Sequence, residues 1–276
     1  MHSVITTDGR MLAVEEYGVP SGMPVVYLHG TPMSRLARHP DDQIFADLGI
    51  RLITYDRPGF GRSTALPGRI VADAAEDVVT IADTLGLGRF AVFGVSGGGP
   101  HALATAAAYP HRISRVATLA SLAPCDADGL DWTAGMTDGN RASSAAARSG
   151  RDELTAHLTR AAETPLPFPD RDLAVLSRPE IAAMVQPAMA EALAPGLAGW
   201  VDDVLALYGL PWGFAPRTVR VPTLLWHGEL DELVPVAHSR WLADRIPDAT
   251  LVTHPDSSHA GHFDATRETL TWLTRP

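Results

Sequence analysis

A serine enclosed by glycines is the side chain best suited to chemistry in this sequence. Ser96 lies in residues 90–100, FAVFGVSGGGP, after an apolar run and before a helical pattern. A G-x-S-x-G segment in that setting predicts a sharp strand-to-helix turn that exposes the serine as a nucleophile. Gly94 and Gly98 lack the Cβ atoms that would collide in such a turn. The alternative is a glycine-rich turn that binds a phosphate or nothing.

A serine hydroxyl is a weak nucleophile at neutral pH and needs a base, which a third group orients. Two histidines, His259 and His262, lie between the last predicted strand and the last predicted helix. Three carboxylates, Glu229, Asp231 and Glu232, follow an earlier apolar run. A histidine can act as the base and a carboxylate as the orienting group, but residue type alone does not say which histidine and which carboxylate do so.

The segments that would position these residues alternate between short apolar runs and helical patterns. Apolar runs at residues 24–29, 51–55, 90–93 and 222–226 predict strands. The apolar stripe of residues 71–85, which ends at Gly86, predicts a helix. The sequence therefore predicts an α/β fold, a mostly parallel twisted sheet with helices on both faces.

One long segment interrupts the alternation. Residues 124–217, here called the insertion, contain alanine-rich helical pieces and repeated prolines but no convincing strand. We expect a helical cap or lid that separates residues 1–123 from residues 218–276 of one core domain. Additional packing surface without a lid function is the alternative.

Three separated segments resemble the α/β-hydrolase superfamily in the order that it requires. They are YLHGTP at residues 27–32, DRPGFGRS at residues 56–63 and the serine turn. The resemblance covers nearly the whole chain except the insertion, and it points to the branch of serine esterases, C–C bond hydrolases and prolyl aminopeptidases. A serine at position 96 argues against the relatives that use an aspartate nucleophile, the epoxide hydrolases and haloalkane dehalogenases.

The resemblance also implies which backbone amides stabilise a negative oxygen. In this family the residue after the His-Gly turn and the residue after the nucleophile supply two N–H groups. By position these are Thr31 and Gly97. His29 itself is interpreted as a buried structural histidine.

The family order is serine, then acid, then histidine. The segment HGELDELVP at residues 227–235 resembles the family pattern His-Gly-x-x-Asp-x-x-Val-Pro, which implies Asp231 as the acid. Asp126 or Asp128 would fit a site that some relatives use after an earlier strand. The family's spacing favours His259 as the histidine, whereas its usual Gly-His dipeptide favours His262, so we take His259 and keep His262 as the alternative.

Other side chains are candidates for substrate contact. Arg35, close to the His-Gly turn, could meet an anionic group or form a salt bridge with a carboxylate. The aromatic residues of the insertion could line an apolar pocket or pack within the cap. We expect substrate contacts from Trp132, Trp200, Trp212 and Phe214.

Composition excludes several classes of function. The net charge is −10 with no basic cluster, which argues against nucleic acid as a partner. Cys125 is the single cysteine, so neither an intrachain disulfide nor a thiolate metal cluster can form. We expect no cofactor and no metal, no membrane span and no secretion signal, hence a cytoplasmic monomer or homodimer acting on a small molecule.

The combined interpretation is a serine hydrolase that cleaves an ester, amide or related acyl bond of a small or medium organic molecule. A C–C bond-cleaving enzyme, a lyase or a cyclase on the same fold is the first alternative, because fold does not settle chemistry. A ligand receptor that has lost turnover is the second.

Overall fold

One eight-stranded sheet forms the centre of the molecule, in a computed structural model that describes residues 2–163 and 167–275. Its strands are β1 (His2–Ile5), β2 (Met11–Gly18), β3 (Met23–Leu28), β4 (Ile50–Tyr55), β5 (Phe90–Val95), β6 (Ile113–Leu119), β7 (Thr223–Gly228) and β8 (Ala249–His254). Their order in the sheet is β1-β2-β4-β3-β5-β6-β7-β8. β1 and β2 pair antiparallel at one edge, and all later neighbours pair parallel. The prediction of a mostly parallel sheet is therefore confirmed.

Both faces of the sheet are covered, which explains why its central strands read as continuous apolar runs. Successive residues of β3 alternate between two cores: Val26 and Leu28 face one, Val25 and Tyr27 the other. The ten α-helices of the described residues are α1 (Gln43–Asp47), α2 (Ala74–Thr84), α3 (Gly98–Ala108), α4 (Asp138–Ser149), α5 (Arg151–Ala162), α6 (Asp170–Leu176), α7 (Pro179–Leu193), α8 (Ala198–Tyr208), α9 (Ala237–Ala243) and α10 (His262–Leu273). Helices α2, α3 and α9 pack on the first face, and α1 and α10 on the second.

Helices α4 to α8 all lie between β6 and β7, within the insertion. Several of them share a third apolar cluster that includes Leu154, Leu158, Trp200 and Val204. Phe60, from the loop after β4, belongs to the same cluster, so the insertion packs on the core domain. The division into a core and a cap stays a prediction.

Among the described residues, no single helix is long and apolar enough to cross a membrane. The pair Pro179–Leu193 and Ala198–Tyr208 meets the length and composition requirement only together, and it is bent by 99°.

The parallel register brings the candidate segments to one edge of the sheet. Leu28 of β3 is paired with Gly94 of β5, and Leu119 of β6 with both Val95 of β5 and Trp226 of β7. The loops that follow β3, β5 and β7 therefore leave the sheet side by side at its carboxyl end, where ligands bind in α/β folds.

Candidate active site

Ser96 occupies a strained turn between β5 and α3. Its φ of 53° lies in the left-handed region, which non-glycine residues adopt rarely and mostly where function requires it. A Cβ atom on Gly94 would collide with the carbonyl oxygen of Gly98, and one on Gly98 with the carbonyl oxygen of Leu28. The flanking glycines are thus required by close backbone approach, and Ser96 is half-buried between fully buried neighbours.

His259 and Asp231 are in direct contact. Nδ1 of His259 lies 2.7 Å from Oδ2 of Asp231. The other carboxylate oxygen accepts hydrogen bonds from the backbone N–H groups of Leu233 and Val234, at 2.9 and 2.8 Å. These bonds orient the carboxylate after β7, and the carboxylate orients the imidazole, whose Nε2 remains for a further partner.

Asp231 and His259 each stabilise the charged form of the other. Burial alone would raise the pKa of Asp231, but the positive charge and hydrogen bond of His259 and the hydrogen bond of His227 lower it far below its usual value. Burial alone would lower the pKa of His259, whereas Asp231 and, less strongly, Asp172 raise it. Asp231 is therefore ionised at neutral pH, and a proton on His259 is stabilised.

The alternative residues lie elsewhere. His262 donates from Nδ1 to the carbonyl oxygen of His259 at 2.9 Å, and burial, together with the positive charge of His259, lowers its pKa to about 4. Asp126 and Asp128 are exposed after β6. The structure pairs the carboxylate of Asp231 with the imidazole of His259. It does not pair Asp231 with His262.

Ser96 and His259 line the same cavity, whose volume is about 370 Å³. The core contributes Tyr27, Met33 and Val95 to its walls, and the insertion contributes most of the remainder. The insertion side is largely apolar, with residues such as Leu158, Phe168, Met184 and Trp200. A few polar side chains interrupt it, including a Ser143–His157 pair whose Oγ and Nε2 are 3.0 Å apart. The cavity is suited to an apolar ligand with a small number of polar groups.

A second carboxylate from the insertion reaches the histidine turn. Oδ1 of Asp172 on α6 accepts a hydrogen bond from the N–H of Ala260, the residue after His259, at 2.6 Å. The side chain is completely buried, and its Oδ2 has no hydrogen-bond donor among the described residues. Asp172 thus fixes the backbone beside His259 and adds a negative charge next to the imidazole.

Thr31 and Gly97 lie next to each other beside Ser96. A Cβ atom built on Gly97 would collide with Oγ1 of Thr31, and both residues line the cavity. Within the described part of the chain, neither backbone N–H has a hydrogen-bond acceptor. Two unused amides are therefore placed beside the serine turn.

A buried group of charges, here called the arginine cluster, lies behind these amides. It consists of Arg57, Arg69, His101 and Asp203, all nearly or fully buried. Nη2 of Arg57 is 2.5 Å from Oδ2 of Asp203, and Nη2 of Arg69 is 2.6 Å from Oδ1. Burial raises the pKa of Asp203, but the two guanidinium groups lower it to well below its usual value. Burial and the charge of Arg57 lower the pKa of His101 to about 3, so this histidine is neutral.

Arg35 does not line the cavity, contrary to its proposed substrate contact. It is 4% exposed, and its Nη1 lies 2.6 Å from Asp56 and 2.7 Å from Glu191. Because Glu191 belongs to α7, Arg35 joins the insertion to the core domain. Its charge is already balanced by carboxylates, which matches the salt-bridge alternative.

Of the four predicted aromatic contacts, only Trp200 lines the cavity. Trp132 is buried against Tyr208 and His238, and its indole N–H donates to the carbonyl oxygen of Ala123 at 2.9 Å. Trp212 and Phe214 stack on each other with ring centroids 5.6 Å apart and border a separate depression. These three side chains pack within the insertion and against the core, and they do not line the cavity.

Sequence reasoning did not identify Asp172 or the arginine cluster. One signal was available for Asp203, because the Asp202-Asp203 pair interrupts an otherwise apolar helical run from Trp200 to Leu207. A charged residue within such a run is buried only when it is paired. No comparable local signal marks Asp172.

Among the described residues, no group of three or more His, Cys, Asp or Glu side chains could hold a metal ion.

Comparison with known proteins agrees with this architecture. The family model described as the alpha/beta hydrolase fold matches residues 23–266. A pimeloyl-[acyl-carrier protein] methyl ester esterase of Chromobacterium violaceum is 29% identical over 234 residues, which are 84% of this chain and 84% of the esterase. A non-heme chloroperoxidase of Streptomyces lividans is 34% identical over 128 residues, and the match spans 45% of this chain and less than half, 46%, of that protein.

Solved structures give the same fold. The enol-lactonase of Burkholderia xenovorans LB400 superposes with a TM-score of 0.75 and 22% identity, covering 99% of each chain. The family match covers well over half of the present sequence. The chain therefore belongs to the α/β-hydrolase fold family and is a hydrolase enzyme of that family.

Proposed function

We propose that this protein is a serine hydrolase that cleaves an ester, amide or related acyl bond of a small or medium organic molecule through an acyl-enzyme. One observation carries the proposal: the imidazole of His259, hydrogen-bonded to the buried Asp231, lines the same cavity as the strained Ser96. This arrangement has the parts of a nucleophile, a base and an orienting acid.

In the proposed mechanism, Oγ of Ser96 attacks the carbonyl carbon and transfers its proton to Nε2 of His259. Asp231 holds Nδ1–H of the imidazole and stabilises the imidazolium that forms. The same proton then passes to the leaving group, and the acyl group stays on Ser96. Water, deprotonated by His259, releases the acid and restores the serine.

The negative oxygen of each tetrahedral intermediate would be bound by the backbone N–H groups of Thr31 and Gly97. Both amides lack an acceptor within the described residues and lie beside the serine turn. Gly97 directly precedes α3, whose positive end adds to the stabilisation. Each such donor is worth roughly 3 kcal/mol of barrier.

The cavity favours an apolar acyl or alkyl portion. Its lining is dominated by aliphatic and aromatic side chains, and about 370 Å³ accommodates a small or medium molecule. The relative from Chromobacterium violaceum, matched over 84% of its length, is named a methyl ester esterase, which makes an ester the first bond to test.

The test combines labelling with turnover. We expect a fluorophosphonate to modify the wild-type protein at Ser96 and p-nitrophenyl butyrate to be hydrolysed. Ser96→Ala should abolish labelling and lower kcat by roughly 10⁴- to 10⁶-fold. Ser149→Ala, at an exposed serine on α4, is the matched control and should behave as wild type.

A folded wild-type protein that neither reacts with the probe nor hydrolyses esters would contradict the proposal and favour a ligand receptor. Labelling that persists in Ser96→Ala would assign the nucleophile to another residue.

A further inference from the structure

Asp203 is the member of the arginine cluster that comes from the insertion. It lies on α8 and is completely buried. Oδ2 accepts hydrogen bonds from Oγ1 of Thr31 and from Nη2 of Arg57, and Oδ1 lies 3.1 Å from Nε of Arg57. Arg69 is 2.6 Å from the same Oδ1. One carboxylate of the insertion therefore binds the side chain of Thr31, whose backbone N–H is one of the two proposed oxyanion donors.

Arg57 extends this contact to the backbone of the same turn. Its Nη1 donates to the carbonyl oxygen of His29, and its Nη2 lies 3.4 Å from the carbonyl oxygen of Gly30 and 3.0 Å from Oγ1 of Thr31. The guanidinium group of Arg57 therefore binds the Asp203 carboxylate and, at the same time, oxygen atoms of residues 29–31. The orientation of the Thr31 peptide thus depends on where Asp203 places Arg57.

The second oxyanion residue, Gly97, contacts His101 of the cluster through its carbonyl oxygen, and no hydrogen bond continues from that ring to Asp203. Nδ1–H of His101 donates to the carbonyl oxygen of Gly97 at 2.8 Å, one helical turn earlier. Nε2 of the same ring lies 3.8 Å from Oδ1 of Asp203 and has no hydrogen-bond partner among the described residues. Because His101 is neutral, its bare Nε2 faces the cluster without a proton.

We infer that Asp203 is a positioning residue of the active site, which holds the amide of Thr31 in place from the insertion, directly and through Arg57. The inference rests on the proposed function, because it assigns to that amide the role of an oxyanion donor. Removing a buried carboxylate leaves two guanidinium groups without their partner, so the cluster must rearrange. A displacement of catalytic groups by about 1 Å can lower a rate by about 100-fold.

The inference gives the insertion a part in the chemistry besides lining the cavity. Asp203 and the cavity residue Trp200 share α8. A movement of that helix away from the core would withdraw the carboxylate from Thr31 and Arg57 and disorganise the proposed oxyanion site. Binding at the cavity and stabilisation of the intermediate are thereby coupled through one helix.

The experiment compares adjacent aspartates of α8 in the full chain. Asp203→Asn should lower kcat for p-nitrophenyl butyrate by about 100-fold, the effect of losing one oxyanion donor, with little change in KM. Asp202→Asn is the matched control. Asp202 is also buried, but it binds Arg151 and the backbone N–H of Gly68, so this variant should keep kcat close to wild type.

Affinity for a tetrahedral mimic separates positioning from a merely structural role. A trifluoromethyl ketone forms an adduct with Ser96 that places an oxyanion between the amides, whereas butylbenzene, an apolar ligand of the cavity without an oxygen atom, does not. In Asp203→Asn, affinity for the ketone should fall by the same factor as kcat/KM while affinity for butylbenzene is retained. Equal losses for both ligands, or equal kcat losses in the two aspartate variants, would overturn the inference.

If Asp203→Asn does not fold, Thr31→Val tests whether the contact between Asp203 and Thr31 positions the Thr31 amide. Valine has the shape of threonine but cannot donate to Asp203, and it leaves the backbone N–H in place. We expect a loss in kcat of about tenfold, the size of one lost hydrogen bond to a charged group. Unchanged kcat in folded Thr31→Val would overturn the inference. Failure of the proposed function itself is recognised separately, by wild-type protein that is not labelled at Ser96.

Discussion

Two groups of buried charges flank Ser96, and they differ in sign. On the histidine side, two carboxylates, Asp231 and Asp172, lie near one imidazole. On the oxyanion side, the arginine cluster combines two guanidinium groups with one carboxylate, Asp203. One side thus offers an excess of negative charge to a histidine, and the other surrounds the proposed oxyanion turn with an excess of positive charge.

The difference corresponds to the charges that the proposed acyl transfer would create. As a serine attacks, the imidazole becomes positive and the carbonyl oxygen becomes negative. Fixed charges of the opposite sign near each position stabilise both, and they act more strongly in a buried site than in water. The comparison suggests that the fold is organised for charge separation across the serine.

The two sides also share a feature. Each side includes one carboxylate from the insertion that contacts a core loop: Asp172 binds the N–H of Ala260, and Asp203 binds Thr31. Asp172 lies on α6 and Asp203 on α8, so two separate helices of the insertion contact the two loops. The insertion therefore takes part in the site at two points in addition to lining the cavity.

The largest expected effect tests the histidine side. His259→Ala should lower kcat by roughly 10⁴- to 10⁶-fold, because the base that accepts the serine proton is lost. His262→Ala is the matched control: its ring contacts the backbone of His259 but not Asp231, and most of the activity should remain. Steady-state kinetics with p-nitrophenyl butyrate measures both, and the reverse ranking would assign the base to His262.

The fold and the core part of the site follow closely from the sequence, for local reasons. The glycines around Ser96 are required within a few residues of it, and the HGELDELVP segment fits the turn after β7. The spacing that favoured His259 agrees with its hydrogen bond to Asp231, although its catalytic role stays a prediction.

The insertion was predicted poorly because its contacts are distant in sequence. Asp172 and Asp203 meet partners 88 and 172 residues away, at Ala260 and Thr31, and no local pattern encodes such pairs. Arg35, Trp132, Trp212 and Phe214 have suitable chemistry for binding a substrate, but residue type does not specify the direction in which a side chain points. The structure uses them for ion pairing and packing instead.

A smaller effect is expected from Asp172→Asn, and it appears in the pH profile. The groups that face His259 are Asp231 after β7, Asp172 on α6 and His262 at the start of α10. The charge of Asp172 raises the pKa of His259, and the base acts only when neutral. Removing that charge should move the acidic limb of kcat/KM to lower pH, with a small change at neutral pH.

Asp170→Asn, an exposed position on the same helix, is the control for this shift and should leave the limb in place. An acidic limb of Asp172→Asn that stays fixed or moves to higher pH would contradict an effect of the Asp172 charge on His259. The histidine side would then lack its second charge, and the contrast with the oxyanion side would rest on Asp231 only.

The smallest effect on activity, but a measurable one on stability, concerns His101 on the oxyanion side. Burial and the neighbouring arginines lower its pKa in the folded state to about 3, below the ordinary value of 6.5 in the unfolded chain. Between these values the unfolded state binds more protons, so stability is fully present above pH 6.5 and is lost as pH falls toward 3. His238 and His262, whose pKa values burial lowers to about 4, contribute in the same direction.

The free energy of unfolding of the wild type, measured with guanidinium chloride, should therefore fall as pH is lowered from 6.5 to 4. His101→Gln should reduce this slope by up to about 1.4 kcal/mol per pH unit, the contribution of one proton. Glutamine keeps a donor for Gly97 but cannot acquire the positive charge that would add to those of Arg57 and Arg69. A variant with the wild-type slope would mean that His101 is protonated without penalty, and the oxyanion side would not carry the excess of positive charge on which the contrast depends.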